Sequence, residues 1–231
     1  MRLLLAVLVS ALLLSACTEE PDVGVPVPTP SPSPLGPLGI DVASEDLIEL
    51  KAQSGMLDCP PSPDPDPEEP EVSPATPLPP VTLPCLGGGR DVRFDQLDGP
   101  LMLNFWASYC EPCRRELPVL QQVHELGADQ LTLLGVDYDD EKPYAALTLA
   151  AVSGVTYASV ADLNAVTATE LQVIGLPQTV FVDGTGAVVA THRGEITSYD
   201  QAADLVLEHL GLRLPEPEPE PETEPTEAVE R

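Results

Sequence analysis

Basic residues are scarce in this chain of 231 residues. It has 10 Lys and Arg against 38 Asp and Glu, which gives a formal net charge of −28 at pH 7. A surface this acidic repels phosphate backbones and anionic lipid headgroups. The composition therefore excludes proteins that bind nucleic acid or anionic membranes through surface charge.

Long hydrophobic runs are also missing. The apolar stretch Leu3–Leu14 has 12 residues, whereas a helix needs about 20 to span a hydrocarbon core. It follows a short basic start and ends at small residues, as a secretory signal segment does. Leu14-Ser15-Ala16-Cys17 resembles the bacterial lipobox, which implies acylation of Cys17 and a lipid anchor on the extracytoplasmic side of the cell membrane. An ordinary signal peptide and a buried core helix are the alternatives.

Proline is sparse only in the middle of the chain. Six of the 28 prolines lie in residues 84–212, while the flanking segments carry the other 22. Such segments cannot bury enough apolar surface to offset the entropy of ordering them. We therefore predict one domain with tethers, divided as follows: 1–17 a lipoprotein signal segment, 18–40 a Pro-rich linker, 41–58 a short helical segment, 59–81 a Pro/acidic loop, 82–212 the domain, and 213–231 a disordered Pro-Glu tail.

Hydrophobic periodicity predicts the order of elements in this domain. Short apolar runs predict strands at 101–106, 131–136, 157–160, 179–182 and 187–191, the last two joined by a Gly-rich turn. Helical spacing predicts helices at 114–126, 143–152 and 163–172, and a fourth between a capping box at Ser198 and a stop at Gly211. This order predicts an α/β domain with central parallel strands and an antiparallel hairpin at the end.

The motif Cys110-Glu111-Pro112-Cys113 lies between the first predicted strand and the first predicted helix. A thiol at a helix N-terminus faces free N–H groups and the positive end of the helix dipole, which favour the thiolate. Cys110 is therefore the predicted attacking thiol. Cys113 lies one turn later and is the predicted resolving thiol. Glu111 opposes thiolate formation by charge repulsion, which favours the disulfide and makes the dithiol a reductant.

Two stretches of the domain resemble the TlpA/ResA-like branch of the thioredoxin superfamily, the thiol–disulfide oxidoreductases with a redoxin domain. The first runs from Asn104 to Pro118 and contains the CxxC motif, and the second is Gly175–Asp183. The resemblance covers about residues 82–212 and implies a thioredoxin-like fold, with a central mixed sheet flanked by helices. It also implies extracytoplasmic thiol–disulfide exchange. Tyr109 departs from the Trp that usually precedes the first cysteine in this family.

The same resemblance implies roles for two further residues. Glu116 matches the acid that handles protons for the resolving cysteine, and Asn104 replaces the buried acid of thioredoxins proper. A solvated helix face, or a partner for Arg114 or Arg115, is the alternative for Glu116. Pro177 matches the family's cis-proline, expected beside Cys110, where it leaves neighbouring backbone free to pair with an extended substrate. A trans turn proline is the alternative.

Two cysteines remain, Cys59 and Cys85, and they bracket the Pro/acidic loop. We predict a structural disulfide between them, worth about 3.5 kcal/mol on the chain-entropy model; a second redox pair is the alternative. A zinc site built from Cys59, Cys85, Cys110 and Cys113 is disfavoured, since there is no second CxxC and the three histidines are scattered. No metal and no cofactor are expected.

The functional prediction is a membrane-anchored disulfide reductase. Its expected partners are disulfide-bearing secreted proteins or apocytochrome c, and a membrane electron donor. The chain has no oligomer signal, so a monomer is expected. A thiol peroxidase is the main alternative, although Ala107 occupies the position where a peroxidatic site needs Thr. A disulfide oxidase, a copper carrier and a purely structural lipoprotein are the others.

Overall fold

The computed structural model describes residues 39–61 and 76–217. Its helices and strands, in chain order, are α1 (Glu45–Ser54), β1 (Thr82–Leu83), β2 (Val92–Arg93), β3 (Leu101–Trp106), α2 (Glu111–Gly127), β4 (Thr132–Tyr138), α3 (Pro143–Val152), β5 (Ser159–Asp162), β6 (Gln178–Val182), β7 (Val188–Arg193) and α4 (Tyr199–Leu210). No helix among these residues is long and apolar enough to cross a membrane.

The main sheet has five strands in the order β5-β4-β3-β6-β7. Strands β3, β4 and β5 are parallel, while β6 and β7 run antiparallel to their neighbours. The predicted α/β architecture with a terminal hairpin is confirmed. The turn of that hairpin is held by Asp183, whose Oδ1 accepts hydrogen bonds from Thr185 N at 2.8 Å and Ala187 N at 3.1 Å.

All six side chains of the central strand β3 are buried, and its five apolar side chains belong to two hydrophobic clusters on opposite faces of the strand. Met102 and Trp106 belong to a cluster that gathers residues from all four helices. Leu101, Leu103 and Phe105 belong to the other, which includes buried residues from the segment 78–97. This alternation follows from the period of two residues in a strand. It fixes the end of β3, and hence the CxxC motif that follows, against both halves of the core.

One predicted element is wrong. Residues 163–172 form a series of turns and no helix. The Asp162 carboxylate accepts hydrogen bonds from Val166 N, Thr167 N and Thr167 Oγ1 at 2.6–3.0 Å. Ala165 and Gln172 also have positive φ angles of 50° and 49°. Local side-chain hydrogen bonding and left-handed residues compete with the helical ladder here, and apolar spacing does not reveal that competition.

The segment that precedes the domain packs onto it through α1. Leu47 and Met56 belong to the cluster that gathers the helices, and Gly55 ends α1 in the left-handed conformation, with φ at 75°. Helix α1 lies within the 41–58 segment for which the sequence predicts a short helix. The structure adds the short antiparallel pair β1–β2, which the sequence did not predict.

Candidate active site

Cys110 is the N-cap residue of α2, directly after the loop that leaves β3. The backbone N–H of Cys113 donates a hydrogen bond to Cys110 Sγ at 3.2 Å. The two cysteines form a disulfide, and they differ in burial, with Cys110 7% exposed and Cys113 fully buried. Pro112 lies in the first turn of α2, where a missing N–H leaves no helical hydrogen bond unmade.

This arrangement is suited to thiol–disulfide exchange. In the dithiol form the same N–H and the helix N-terminus favour a thiolate on Cys110, the sulfur that solvent and a client can reach. Cys113 is shielded from any second client, yet it is close enough to form the disulfide with Cys110. This geometry suits Cys110 for attack and Cys113 for resolution, the roles that the sequence predicts.

Glu116 follows Cys113 by three residues on α2, and its side chain is fully buried. Its Oε1 accepts a hydrogen bond from Ile196 N at 2.9 Å, and its Oε2 accepts one from Asn104 Nδ2 at 3.0 Å. Burial raises the pKa of this carboxyl to about 7, although both hydrogen bonds oppose the rise. The solvated alternative for Glu116 is wrong, because the side chain lies in the interior.

Asn104 can accommodate both protonation states of Glu116. Its Nδ2 donates to the carboxylate and to Thr179 Oγ1, at 3.0 and 3.2 Å. Its Oδ1 is buried and has no hydrogen-bond partner among the described residues. A rotation of the amide turns that oxygen toward a protonated carboxyl, which needs an acceptor. A buried acid whose pKa is near neutrality and whose partner serves both forms is equipped to take up and release a proton.

The Leu176–Pro177 bond is cis, and Pro177 is a buried residue directly before β6. Leu176 lines an open cleft of about 450 Å³ together with Cys110. The other lining residues are Tyr109, Pro112, Tyr138, Val173, Ile174 and Gly175. Tyr109 and Ile174 are largely exposed. The cleft therefore presents apolar side chains on both sides of the Cys110 sulfur.

Two buried aspartates follow one another closely near the loop before Cys110, of which Asp140 contacts that loop, and sequence reasoning missed both. Asp140 accepts hydrogen bonds from Ser108 N at 2.7 Å and from Lys142 N at 3.0 Å. Asp137 is fully buried, and burial, followed by repulsion from Asp140, raises the pKa of its carboxyl well above the usual value. An aspartate inside the apolar run of β4 was the available signal, because a charge rarely enters a buried strand without a reason.

The surroundings of Glu111 weaken the repulsion that the sequence predicts between it and a Cys110 thiolate. Glu111 is exposed, and its carboxylate lies 3.7 Å from Arg114 Nε and 3.6 Å from Arg115 Nη1. Arg115 also pairs with Glu195 at 2.6 Å. Solvent and these arginines weaken the repulsion that Glu111 exerts on a Cys110 thiolate.

Cys59 and Cys85 form a second disulfide and lie 26 positions apart in sequence. Both residues are buried. The bond joins the segment that follows α1 to the turn that follows β1. Cys17, the predicted lipidation site, lies outside the described residues, as do most of the 18–40 linker and the end of the 213–231 tail.

Comparisons with known proteins agree with this site. The chain is 26% identical over 132 residues to the thioredoxin-like protein YneN of Bacillus subtilis, covering 56% of this chain and 77% of YneN. It is 32% identical over 107 residues to the thiol:disulfide interchange protein DsbE of Yersinia pestis, covering 45% of this chain and 55% of DsbE. It thus spans about half the length of that DsbE.

Among solved structures, a secreted thiol-disulfide isomerase from Corynebacterium glutamicum matches with a TM-score of 0.50 and 26% identity. This match covers 57% of the present chain and 83% of the isomerase. Residues 74–191 match the AhpC/TSA family. These residues include β3, the CxxC motif, Glu116 and Pro177. The chain belongs to the AhpC/TSA family.

Proposed function

We propose that this protein is an extracytoplasmic thiol–disulfide oxidoreductase that reduces client disulfides through Cys110 and Cys113. One observation carries the proposal: the more exposed sulfur of a disulfide, at the N-terminus of α2, receives a backbone N–H, while its partner sulfur is fully buried. The relatives named as thiol:disulfide interchange proteins support the same class of reaction.

The proposed turnover has two exchanges. The Cys110 thiolate attacks one sulfur of a client disulfide, the client's other sulfur leaves as a thiolate, and a mixed disulfide forms. Cys113 then loses its proton, attacks Cys110 Sγ, and the second client sulfur leaves. The client has gained two electrons, and the Cys110–Cys113 disulfide remains. Glu116 is the proposed acceptor of the Cys113 proton, since its pKa of about 7 keeps a fraction ionised at neutral pH.

The direction of the reaction is also part of the proposal. An ionised Glu116 lies on the same helix face as Cys113, three residues away, and opposes a second negative charge at that sulfur. Glu111 adds a weaker repulsion at Cys110, reduced by Arg114 and Arg115. Both effects favour the disulfide over the dithiol, so the dithiol gives its electrons to clients.

The cellular setting rests on the terminal segments and the second disulfide. We propose that Cys17 is acylated and tethers the 82–212 domain to the outer face of the cell membrane. A buried Cys59–Cys85 disulfide fits an oxidising compartment. In this setting the electrons come from a membrane donor, and the clients are secreted proteins or apocytochrome c.

Trapping tests the mechanism. With Cys113→Ser in the full chain, clients remain bound to Cys110 as mixed disulfides. These appear as additional bands on a non-reducing gel, and dithiothreitol cleaves them. The matched Cys110→Ser variant gives none. Equal trapping by both variants, or by neither, contradicts the assignment of the two sulfurs.

A redox titration tests the direction. We expect the Cys110–Cys113 pair to be a reductant, so its potential lies far below the roughly −120 mV of a strong disulfide oxidant. A value near that of the oxidant reverses the direction and favours the oxidase alternative. Stoichiometric consumption of peroxide at Cys110, without reduction of insulin, favours the peroxidase.

A further inference from the structure

The second disulfide has a buried cation beside it. Lys51 lies on α1, is 5% exposed, and its Nζ is 3.4 Å from Cys85 Sγ. The ammonium also donates to Gly88 O at 2.8 Å and to Asp58 Oδ1 at 2.9 Å. These three contacts equal the number of protons that an ammonium carries. The Cys85 sulfur therefore takes one of the three hydrogen-bonding positions of the Lys51 ammonium, and Gly88 and Asp58 take the other two.

The chain after Cys85 is shaped around this lysine. Residues 87–89 are all glycines with positive φ angles. A Cβ at position 87 would lie 2.8 Å from Lys51 Cβ, closer than carbon atoms approach. The turn thus needs glycine to admit the lysine stem, and it directs the Gly88 carbonyl at the ammonium. The cation is built into the site.

The two sulfurs of this disulfide have different surroundings. Cys59 is 7% exposed and Cys85 is 1% exposed. Cys59 Sγ lies 3.3 Å from the Ser159 carbonyl oxygen, closer than Cys85 Sγ at 3.7 Å. In a dithiol form the Cys59 S–H can donate to that carbonyl, while a Cys85 thiolate accepts from the Lys51 ammonium. Each sulfur thus has a suitable partner after reduction, which is unusual for a disulfide whose role is purely structural.

We propose that Cys59–Cys85 is a second redox-active disulfide, in which Cys59 is the sulfur attacked and Cys85 leaves as a thiolate stabilised by Lys51. This goes beyond the proposed function and does not depend on Cys110. A thiolate of an external dithiol attacks Cys59 Sγ, the Cys59–Cys85 bond breaks, and Cys85 takes the negative charge. The second thiolate of the dithiol then attacks the dithiol sulfur that is bonded to Cys59. Cys59 leaves as a thiolate and takes up a proton. The centre gains two electrons and the dithiol becomes a disulfide.

The physical basis is leaving-group quality. Exchange is faster when the departing thiolate is stabilised, and the equilibrium shifts toward the dithiol by the same interaction. A neighbouring ammonium is one of the groups that stabilise a thiolate. Attack at the more exposed sulfur and departure of the sulfur beside the cation are therefore the favoured order.

The test uses the full chain in glutathione buffers of stepped ratio, with acid quenching, alkylation and peptide mass spectrometry. The digest reports Cys59–Cys85 and Cys110–Cys113 separately, so a failure at the second pair concerns only the proposed function. Lys51→Met removes the ammonium and keeps the length of the stem. Asp58→Asn is the matched control: both changes abolish the Lys51–Asp58 ion pair, but only the first removes the cation at the sulfur.

We expect glutathione to reduce the wild-type Cys59–Cys85 bond, with the first adduct on Cys59. In Lys51→Met we expect reduction about tenfold slower and an equilibrium shifted about tenfold toward the disulfide, or about 30 mV. Asp58→Asn should react at least as fast as wild type. If Lys51→Met only loosened α1, the sulfurs would become exposed and reduction would be faster. Loss of the ammonium makes reduction slower, so the direction of the rate change distinguishes the two explanations.

Three results overturn the proposal. The first is a wild-type bond that resists glutathione, as structural disulfides do. The second is a first adduct on Cys85. The third is a Lys51→Met variant that is reduced as fast as wild type or faster. The first two are measured on the unmodified protein, so they hold even where a variant fails to fold.

Discussion

The two disulfides share one covalent chemistry, but their surroundings differ. Cys110–Cys113 closes a loop with a sequence separation of 3 and receives a backbone N–H from its own helix. Cys59–Cys85 closes a loop with a sequence separation of 26, and its Cys85 sulfur contacts the ammonium of Lys51 on α1. The shorter loop adds less stability, so opening the first bond costs the fold less than opening the second. The comparison teaches that loop length sets what a disulfide contributes to folding, while the donor at each sulfur sets which sulfur leaves.

The largest expected difference between the two bonds is in catalysis. Cys110→Ser should lower insulin reduction at least about 10³-fold, since it removes the thiolate proposed to attack the client disulfide. Cys59→Ala with Cys85→Ala should keep the rate within about threefold, because Cys110, Cys113 and Glu116 are unchanged. The measurement is insulin turbidity with limiting dithiothreitol. Equal losses in the two proteins would make the second pair part of the same catalytic route.

The next difference is in stability. Removing the Cys59–Cys85 bond with the double alanine variant should lower the free energy of unfolding by about 3.5 kcal/mol, whereas removing Cys110–Cys113 should cost about 2 kcal/mol. Urea denaturation, followed by circular dichroism, gives both values. The opposite ranking would show that strain or residual structure, and not loop entropy, governs these bonds.

A third prediction concerns the buried acid beside the first bond. Burial raises the pKa of Glu116 from 4.5 to about 7. Between these values the folded state binds more protons than the unfolded state, so stability falls as the pH rises. The fall amounts to about 3 kcal/mol between pH 4.5 and pH 8. Glu116→Gln should remove this slope, with Asn104 rotating its Oδ1 toward the new amide.

Urea denaturation at pH 4.5, 6 and 8 measures that slope. The control is Glu111→Gln, an exposed acid on the same helix, which should keep the wild-type slope. In single-turnover assays, release of the reduced client should rise with pH through about 7 in wild type and stay low in Glu116→Gln. A slope that persists in Glu116→Gln would assign the titration to another buried carboxyl, such as Asp137.

The smallest effect is expected at the cleft of the first bond. Tyr109 is 63% exposed beside Cys110, so Tyr109→Ala should raise KM for a protein disulfide about three- to tenfold and leave kcat unchanged. Val152→Ala changes another exposed apolar residue, on α3, and should leave KM unaltered. An unchanged KM in Tyr109→Ala would mean that clients dock without this side chain.

Much of the fold was predictable because its signals are local. Strand β3 and helix α3 have the predicted bounds, since continuous apolar runs and a proline at a helix start act within a few residues. The capping box at Ser198 was half right. Ser198 caps Gln201 N at 3.2 Å, but the Gln201 side chain accepts from Thr197 and not from Ser198.

The site was predictable to a different depth at each residue. The spacing of the two cysteines at 110 and 113 predicts thiol–disulfide exchange, and the family motif pointed to Glu116. The burial of Glu116 and its contacts with Asn104 and Ile196 join residues 12 and 80 positions apart. Lys51 lies 34 positions from Cys85, and nothing in the spacing of the two residues relates them.

The sequence alone determined the α/β order and the helix that begins at the CxxC motif, because periodicity and helix-end chemistry are local. Only the tertiary structure decided that Glu116 is buried, that residues 163–172 are turns, and that Lys51 lies against Cys85. Desolvation and through-space charge depend on which distant segments meet. That is set by the packing of the sheet and its helices, and not by neighbouring residues in the chain.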